Sequence, residues 1–170
     1  SGLALDTEAI QAELDRRRPG QSHLTTPRKE RDTVEWLSGI HEGSTTGAPI
    51  GFMLRNEDSK SGDYDHLQSA FRPSHADYTY TAKYGHRDHR GGGRASARET
   101  ACRVAAGAIA RQLLASAGIE VSAYVERVEE TAVPFAPRFF DRAAVDASPT
   151  RCPDPATAAS MATIIETVRK

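Results

Sequence analysis

Apolar positions recur along this chain in two rhythms, one helical and one alternating, and together they lay out most of its elements. Ile10 and Leu14 stand one turn apart behind Asp6 and Thr7, either of which can cap a helix, and Glu8 falls in the first turn where the helix dipole favours an acid. The spacing predicts a helix to about Arg18, stopped by Pro19 and Gly20 and followed by a polar loop, QSHLTTPRKERD. Residues 33–37 and 50–54 read as short strands separated by the small-residue turn GSTTGAP, a pair that suggests antiparallel sheet. The polar run NEDSKSGDYD at 56–65 reads as a loop.

The clearest helix spans residues 96–117, with Val104, Ala108, Ile109 and Leu113 at helical spacing and Gly118 as its stop. Its abundant alanine favours helix and permits close packing, so it is expected in the interior. Residues 120–128 alternate as a strand should, with Val121, Ala123 and Val125 on one face and Ser122, Tyr124 and Glu126 on the other. After a loop containing Pro134, Pro137 and Pro153, Asp154 as N-cap and Pro155 at the first helical position open a last helix through Val168. The fold class is α+β. With no internal repeat, no low-complexity tract and no sign of a second domain, residues 1–170 read as a single, partial domain.

Composition narrows this picture. A chain of 170 residues with 38% hydrophobic content and a mean hydropathy of −0.54 builds a modest core under a large polar surface. No apolar run approaches the roughly 18–20 residues of a membrane span, and SGLALDTEAI lacks the basic start and apolar stretch of a secretory signal. A cytoplasmic location without membrane contact is expected. Cys102 and Cys152 stand too far apart in sequence to suggest a disulfide framework or a thiolate zinc site. The chain lacks an initiator Met and stops at Lys170 inside a helical pattern, so it is expected to be a piece of something longer.

Charge is concentrated rather than spread. The formal net charge is −1, yet in RPSHADYTYTAKYGHRDHRGGGRASARET Arg72, Lys83, Arg87, Arg90, Arg94 and Arg98 outweigh Asp77, Asp88 and Glu99. That suits capture of a phosphorylated small molecule better than nucleic-acid binding, for which a net basic chain is expected. The glycines at 91–93 followed by Arg94, Ala95, Ser96 and a helix form either a phosphate cradle or a flexible turn. Arg94 and Arg98, four apart, share a helix face that borders one opening or is simply solvated. His75, near Asp77, Arg72 and several tyrosines, is either a proton donor with a tunable pKa or a structural histidine. His86 and His89 have no third ligand at an obvious spacing, so no metal site is expected. The string His86, Arg87, Asp88 lacks the other kinase motifs, and the acidic loop lacks the ligand order of a calcium-binding hand.

The central run RPSHADYTYTAKYGHRDHRGGGRASARET resembles the signature of the chorismate synthase family. DRRRPGQS, LSGIHEGSTTGAPIGFMLRNEDS, ACRVAAGAIARQLL and CPDP resemble the same family in the same order, so the resemblance covers essentially the whole chain. It implies 1,4-anti elimination of phosphate and a ring proton from 5-enolpyruvylshikimate 3-phosphate to give chorismate. Reduced FMN is the implied cofactor, and NADPH a candidate reductant for that flavin. The implied fold is part of a β-α-β sandwich whose antiparallel sheets enclose helices, in a homotetramer. Position by position, His75 matches the histidine that acts as an acid toward the reduced flavin, and Arg72 an arginine at the substrate and flavin site. Arg94, Ala95 and Ser96 match a segment contacting FMN, Arg98 a residue holding the substrate's anionic groups, and Arg17 and Arg18 an arginine triplet near phosphorylated substrate or nicotinamide.

Three departures stand out. His23 lies where the family usually has Arg, which makes an anion contact weaker or pH-dependent; Ala95 replaces a serine and offers only its backbone; and RPSHADYTYT replaces the commoner RPGHADYTY. The family's GESHG motif is expected upstream of Ser1, and its KPTSS-like flavin segment and the aspartate proposed as base beyond Lys170, so the chain is expected to be inactive alone. The other class of reading is a non-catalytic phosphate- or nucleic-acid-binding module built on the same arginines. A pI of about 6.6 and the ordered motifs weigh against it.

Overall fold

The structure, a computed structural model, describes residues 1–25, 30–57, 61–90, 96–134 and 140–169. They form two compact units, Ser1–Arg18 with Arg28–Gly118, and Pro19–Pro27 with Ile119–Lys170.

In the first unit, helix α1 (Thr7–Arg17) starts as its sequence predicts, the Asp6 carboxylate accepting from the Ala9 N–H at 2.9 Å. It ends at Arg17 because Arg18 is already extended (ψ 153) ahead of Pro19. Ile10 and Leu14 are fully buried. Strands β1 (Val34–Ser38) and β4 (Gly51–Leu54) pair antiparallel, Val34 opposite Leu54 and Trp36 opposite Phe52, with a register shift before Ser38. Val34, Phe52 and Leu54 then pack with Val104 around Leu14, Ala101 and Ala105, so the sheet lies on helices α1 and α3 (Glu99–Ser116).

The segment between the strands is more than a turn. It holds β2 (Ile40–His41) and β3 (Ser44–Thr45), a hairpin whose central Glu42 and Gly43 both have positive φ (48° and 73°), the twist that two-residue hairpins prefer. Glu-Gly is a weaker version of the Asn-Gly signal, which is why the hairpin is hard to see in sequence. At Gly39 (φ 83°) a Cβ would lie 2.7 Å from the Ile50 Cα and the Pro49 carbonyl, so only glycine lets the two segments cross there.

Helix α3 begins at Glu99, later than the predicted Ser96, and ends at Ser116, with Gly118 following it at φ 70° as the expected stop. The buried face overlaps the predicted one only in part: Ala108 is covered and Val104 packs on the core as predicted, Ala101 and Ala105 are covered as well, and Leu113 is 58% exposed. The helix is therefore surface-bound on one side rather than interior. Small side chains allow close approach to α1, and Leu113 falls elsewhere on the cylinder. Of two further elements, the 3-10 helix Ser61–Leu67 precedes the basic stretch and helix α2 (Asp77–Tyr84) lies within it.

In the second unit the alternation at 120–128 yields ladder only at β5 (Arg127–Val128), which pairs with β6 (Thr131–Ala132) across a turn with Glu129 at φ 53°. The residues before it form no named strand; Val125 N–H donates instead to the Arg151 carbonyl at 2.9 Å. Alternation specifies a two-faced extended chain, but a partner has to come from elsewhere. Helix α4 (Arg142–Ala147), capped by Asp141, lies where only loop is predicted. Helix α5 (Pro155–Arg169) opens as predicted, the Asp154 carboxylate accepting from the Thr157 N–H (2.8 Å) and hydroxyl (2.6 Å). Its Ala158 and Met161 join Val133 and Cys152 in a core flanked by Tyr124, Val125 and Val128. Helices with small, local antiparallel pairs make this an α+β structure. Among the described residues no helix is long and apolar enough to cross a membrane.

Truncating Leu14 to Ala is expected to destabilise the first unit by about 2–5 kcal/mol, read from the denaturant midpoint. Leu113→Ala, on the open face of α3, is expected to change stability by no more than about 0.5 kcal/mol.

Candidate functional site

Where α1 ends and α3 begins, two of the predicted arginines meet. Arg98, at the cap position of α3, donates from Nη1 to Asp32 Oδ1 at 2.6 Å, and Arg17, the last residue of α1, donates from Nη1 to Asp32 Oδ2 at 3.2 Å. Arg17 Nη2 also donates to the Ala97 carbonyl and the Thr100 hydroxyl, both at 3.1 Å. Arg98 Nη2 donates to the Arg55 carbonyl at 2.6 Å and lies 3.7 Å from Glu30. The Asp32 side chain has no exposed surface and Glu30 has 3%, while the arginines keep 23% and 20%. Burial of these carboxylates is sustained by the guanidinium forks around them. Neither acid stands out in the sequence: both sit in a charged run that reads as solvated loop. Ser96 belongs to the same turn, its hydroxyl accepting from the Arg98 N–H at 3.3 Å. Arg94, Ala95 and the glycines at 91–93 lie outside the described residues.

A second ion pair organises the approach to His75. Arg72 grips Asp77 with Nε and Nη2, both at 2.9 Å, and its backbone N–H reaches the same carboxylate at 3.0 Å. Asp77 is buried at the first position of α2, and the Arg72 fork holds its carboxyl well below the usual range, against the opposing effect of burial. Arg87 reinforces the corner by donating to the Leu67 and Ala70 carbonyls and lying 5.3 Å over the Phe71 ring. The carboxylate nearest to His75 in sequence is thus engaged by Arg72. His75 is half-buried, and its Nδ1 is fully buried with no hydrogen-bond partner among the described residues. Ser74, just before it, has φ +60°, a conformation natural to the glycine of the commoner family motif.

The remaining predicted residues have partners of their own. Arg18 lies 3.5 Å from Asp15, one turn back on its own helix. His23 belongs to the second unit, where Nε2 lies 2.7 Å from Glu166 of α5 and its carbonyl accepts from Arg169 at 2.6 Å. Arg90 closes on Asp88, pulling that exposed carboxyl down to about 2. Tyr78, Tyr80 and Tyr84 are exposed on α2. Several cations of the basic stretch are therefore matched by carboxylates, so the segment is a set of directed N–H groups more than a bare positive patch. Among the described residues no group of three or more His, Cys, Asp or Glu is placed to hold a metal.

Comparison with known proteins places this geometry in a family. Residues 1–170 match the family model described as chorismate synthase. The chain belongs to the chorismate synthase family. It is 54% identical over 171 residues to chorismate synthase of Porphyromonas gingivalis (strain ATCC BAA-308 / W83), covering 100% of this chain and 46% of that protein. It is 57% identical over 168 residues to that of Opitutus terrae (strain DSM 11246 / JCM 15787 / PB90-1), covering 98% and 46%. A solved structure described as "Crystal Structure of Chorismate Synthase" matches with a TM-score of 0.70 at 31% identity, over 99% of this chain and 46% of that one. The chain spans about half the length of the curated relatives it matches.

Ser74→Gly is expected to raise stability by roughly 0.5–1 kcal/mol, the strain relieved exceeding the added chain entropy, as a higher thermal midpoint. Because the Asp77 carboxyl titrates below its unfolded value, its contribution is whole above about pH 4 and is lost as pH falls through the folded pKa. Asp77→Asn is accordingly expected to be less stable at neutral pH and to lose less on acidification, measured as denaturant midpoint against pH.

Proposed function

We propose that the complete gene product is a chorismate synthase, converting 5-enolpyruvylshikimate 3-phosphate to chorismate by 1,4-anti elimination. The observation that carries this reading is the match of all 170 residues to that family, with relatives more than half identical. The substrate carries a phosphate and two carboxylates, and charged forks of fixed direction are what such a group needs before its phosphate can leave. Arg17, Arg18, His23, Arg72 and Arg98 are read as the anion-binding set, and Arg94, Ala95 and Ser96 as the segment that meets FMN.

The residues present fit a flavin: the buried Nδ1 of His75, without a hydrogen-bond partner among the described residues, is a polar atom suited to a ligand group. Reduced FMN, when bound, supplies an electron that is recovered within the turnover, so the overall reaction is redox-neutral. Asp77 is committed to Arg72, so the buried Nδ1 of His75 stays without a hydrogen-bond partner among the described residues. The imidazole is read as the group that would exchange a proton with the bound ligand. The reading includes NADPH as a reductant of the flavin, a homotetramer of β-α-β sandwich subunits, and a cytoplasmic location.

Anaerobic assay of the complete gene product with reduced FMN is expected to show chorismate formation, and none would end the proposal. His75→Ala is expected to lower turnover by about 10²–10⁴-fold; a variant as fast as the parent would remove the role given to His75.

A further inference from the structure

The placement of Asp32 is costly in two ways. Its carboxylate is taken wholly out of water, and its backbone has φ +52°, a region that side chains rarely adopt although aspartate tolerates it better than most. Buried ion pairs of this kind are poor sources of net stability, because well-packed apolar groups often do as well. What the carboxylate does achieve is geometric. Each oxygen takes a different arginine, Oδ1 from Arg98 and Oδ2 from Arg17, so one rigid group sets the spacing and direction of two forks that arrive from different helices. The Thr100 hydroxyl and the Ala97 carbonyl then fix the other arm of Arg17, and the Arg55 carbonyl the other arm of Arg98. These contacts use three of the five guanidinium N–H groups of Arg17, and the arginine remains about one-fifth exposed.

With Glu30 counted, two cations face two anions in these ion pairs, and among the described residues of the cluster the charges balance. Bulk attraction is therefore not how it would capture a phosphorylated or carboxylated ligand. Fixed N–H directions remain as the means, which is the preorganisation that makes donors effective at low cost on binding.

We infer that Asp32 is a positioning residue, which locks the Arg17 and Arg98 guanidinium groups at the separation that receives the anionic groups of the substrate, with Thr100 as a secondary hold on Arg17. This inference rests on the function proposed above. It also opposes simple electrostatics. Replacing Asp32 by Asn removes a negative charge beside both forks, so Coulomb attraction alone predicts tighter binding of an anion, whereas loss of positioning predicts weaker binding.

The test is made on the complete gene product with reduced FMN, combining steady-state kinetics with calorimetric binding of 5-enolpyruvylshikimate 3-phosphate. Asp32→Asn is expected to raise both KM and the dissociation constant about ten- to a hundredfold, with a smaller fall in kcat and unchanged flavin affinity. Thr100→Val, an exposed position whose substitution leaves the core intact, is expected to shift KM in the same direction by about two- to tenfold. This variant keeps the inference open to refutation should Asp32→Asn fail to fold. In an Arg98→Lys background the Asp32→Asn effect is expected to shrink, because both changes act through one contact. Unchanged or tighter substrate binding in the variants that fold, beside an active parent, overturns the role of Asp32 alone. A parent that neither binds nor converts the substrate overturns the proposed function as well.

Discussion

A carboxylate with no exposed surface loses the hydration that would stabilise its charge, and the penalty after relaxation is still several kcal/mol per ion. Asp32 is such a group, and the first unit is arranged so that the loss is met. Arg17 closes helix α1 and Arg98 precedes helix α3, so their forks reach one carboxylate only if the two helices pack closely at those ends. The packing is supplied by Leu14 against Ala101 and Ala105, where small side chains let the helices approach. Apolar contact and ion network thus support each other: helix packing brings the arginines together, and the arginines make the buried acid tolerable.

The same logic governs the stretch around His75. Asp77 is buried at the start of α2 and is gripped by three N–H groups of Arg72, so the chain turns sharply and Ser74 takes up a left-handed conformation. Binding the carboxylate to Arg72 leaves the imidazole without the acid that sequence proximity offers it. A segment that looks like a cationic patch is in this way converted into separate devices, one that braces a corner and one that presents an unpartnered ring nitrogen. For a small ligand bearing phosphate and carboxylate groups, direction then matters more than summed charge.

Local signals account for what was legible along the chain. The Asp6 cap, the Ile10 and Leu14 spacing and the Asp154–Pro155 start of α5 all involve residues within a turn or two of one another, and the strands β1 and β4 are separated only by a short hairpin segment. Arg17, Arg98 and His75 were marked by their motif setting. Asp32 and Glu30 were not, because a charged run in a loop carries the same pattern whether it is solvated or folded beneath two helices.

The sequence by itself therefore determined where α1, α3 and α5 form, the β1–β4 pair, and which side chains carry chemistry worth attention, since caps, breakers and periodicity act over a few residues. Only the tertiary structure decided which face of α3 is covered, why the alternation before Arg127 finds no ladder, and which acid each arginine meets. Those outcomes depend on partners far away in sequence, Asp32 and Arg98 being 66 residues apart. A buried charge has to be matched by whatever the fold brings within hydrogen-bond reach, and no local pattern encodes that meeting.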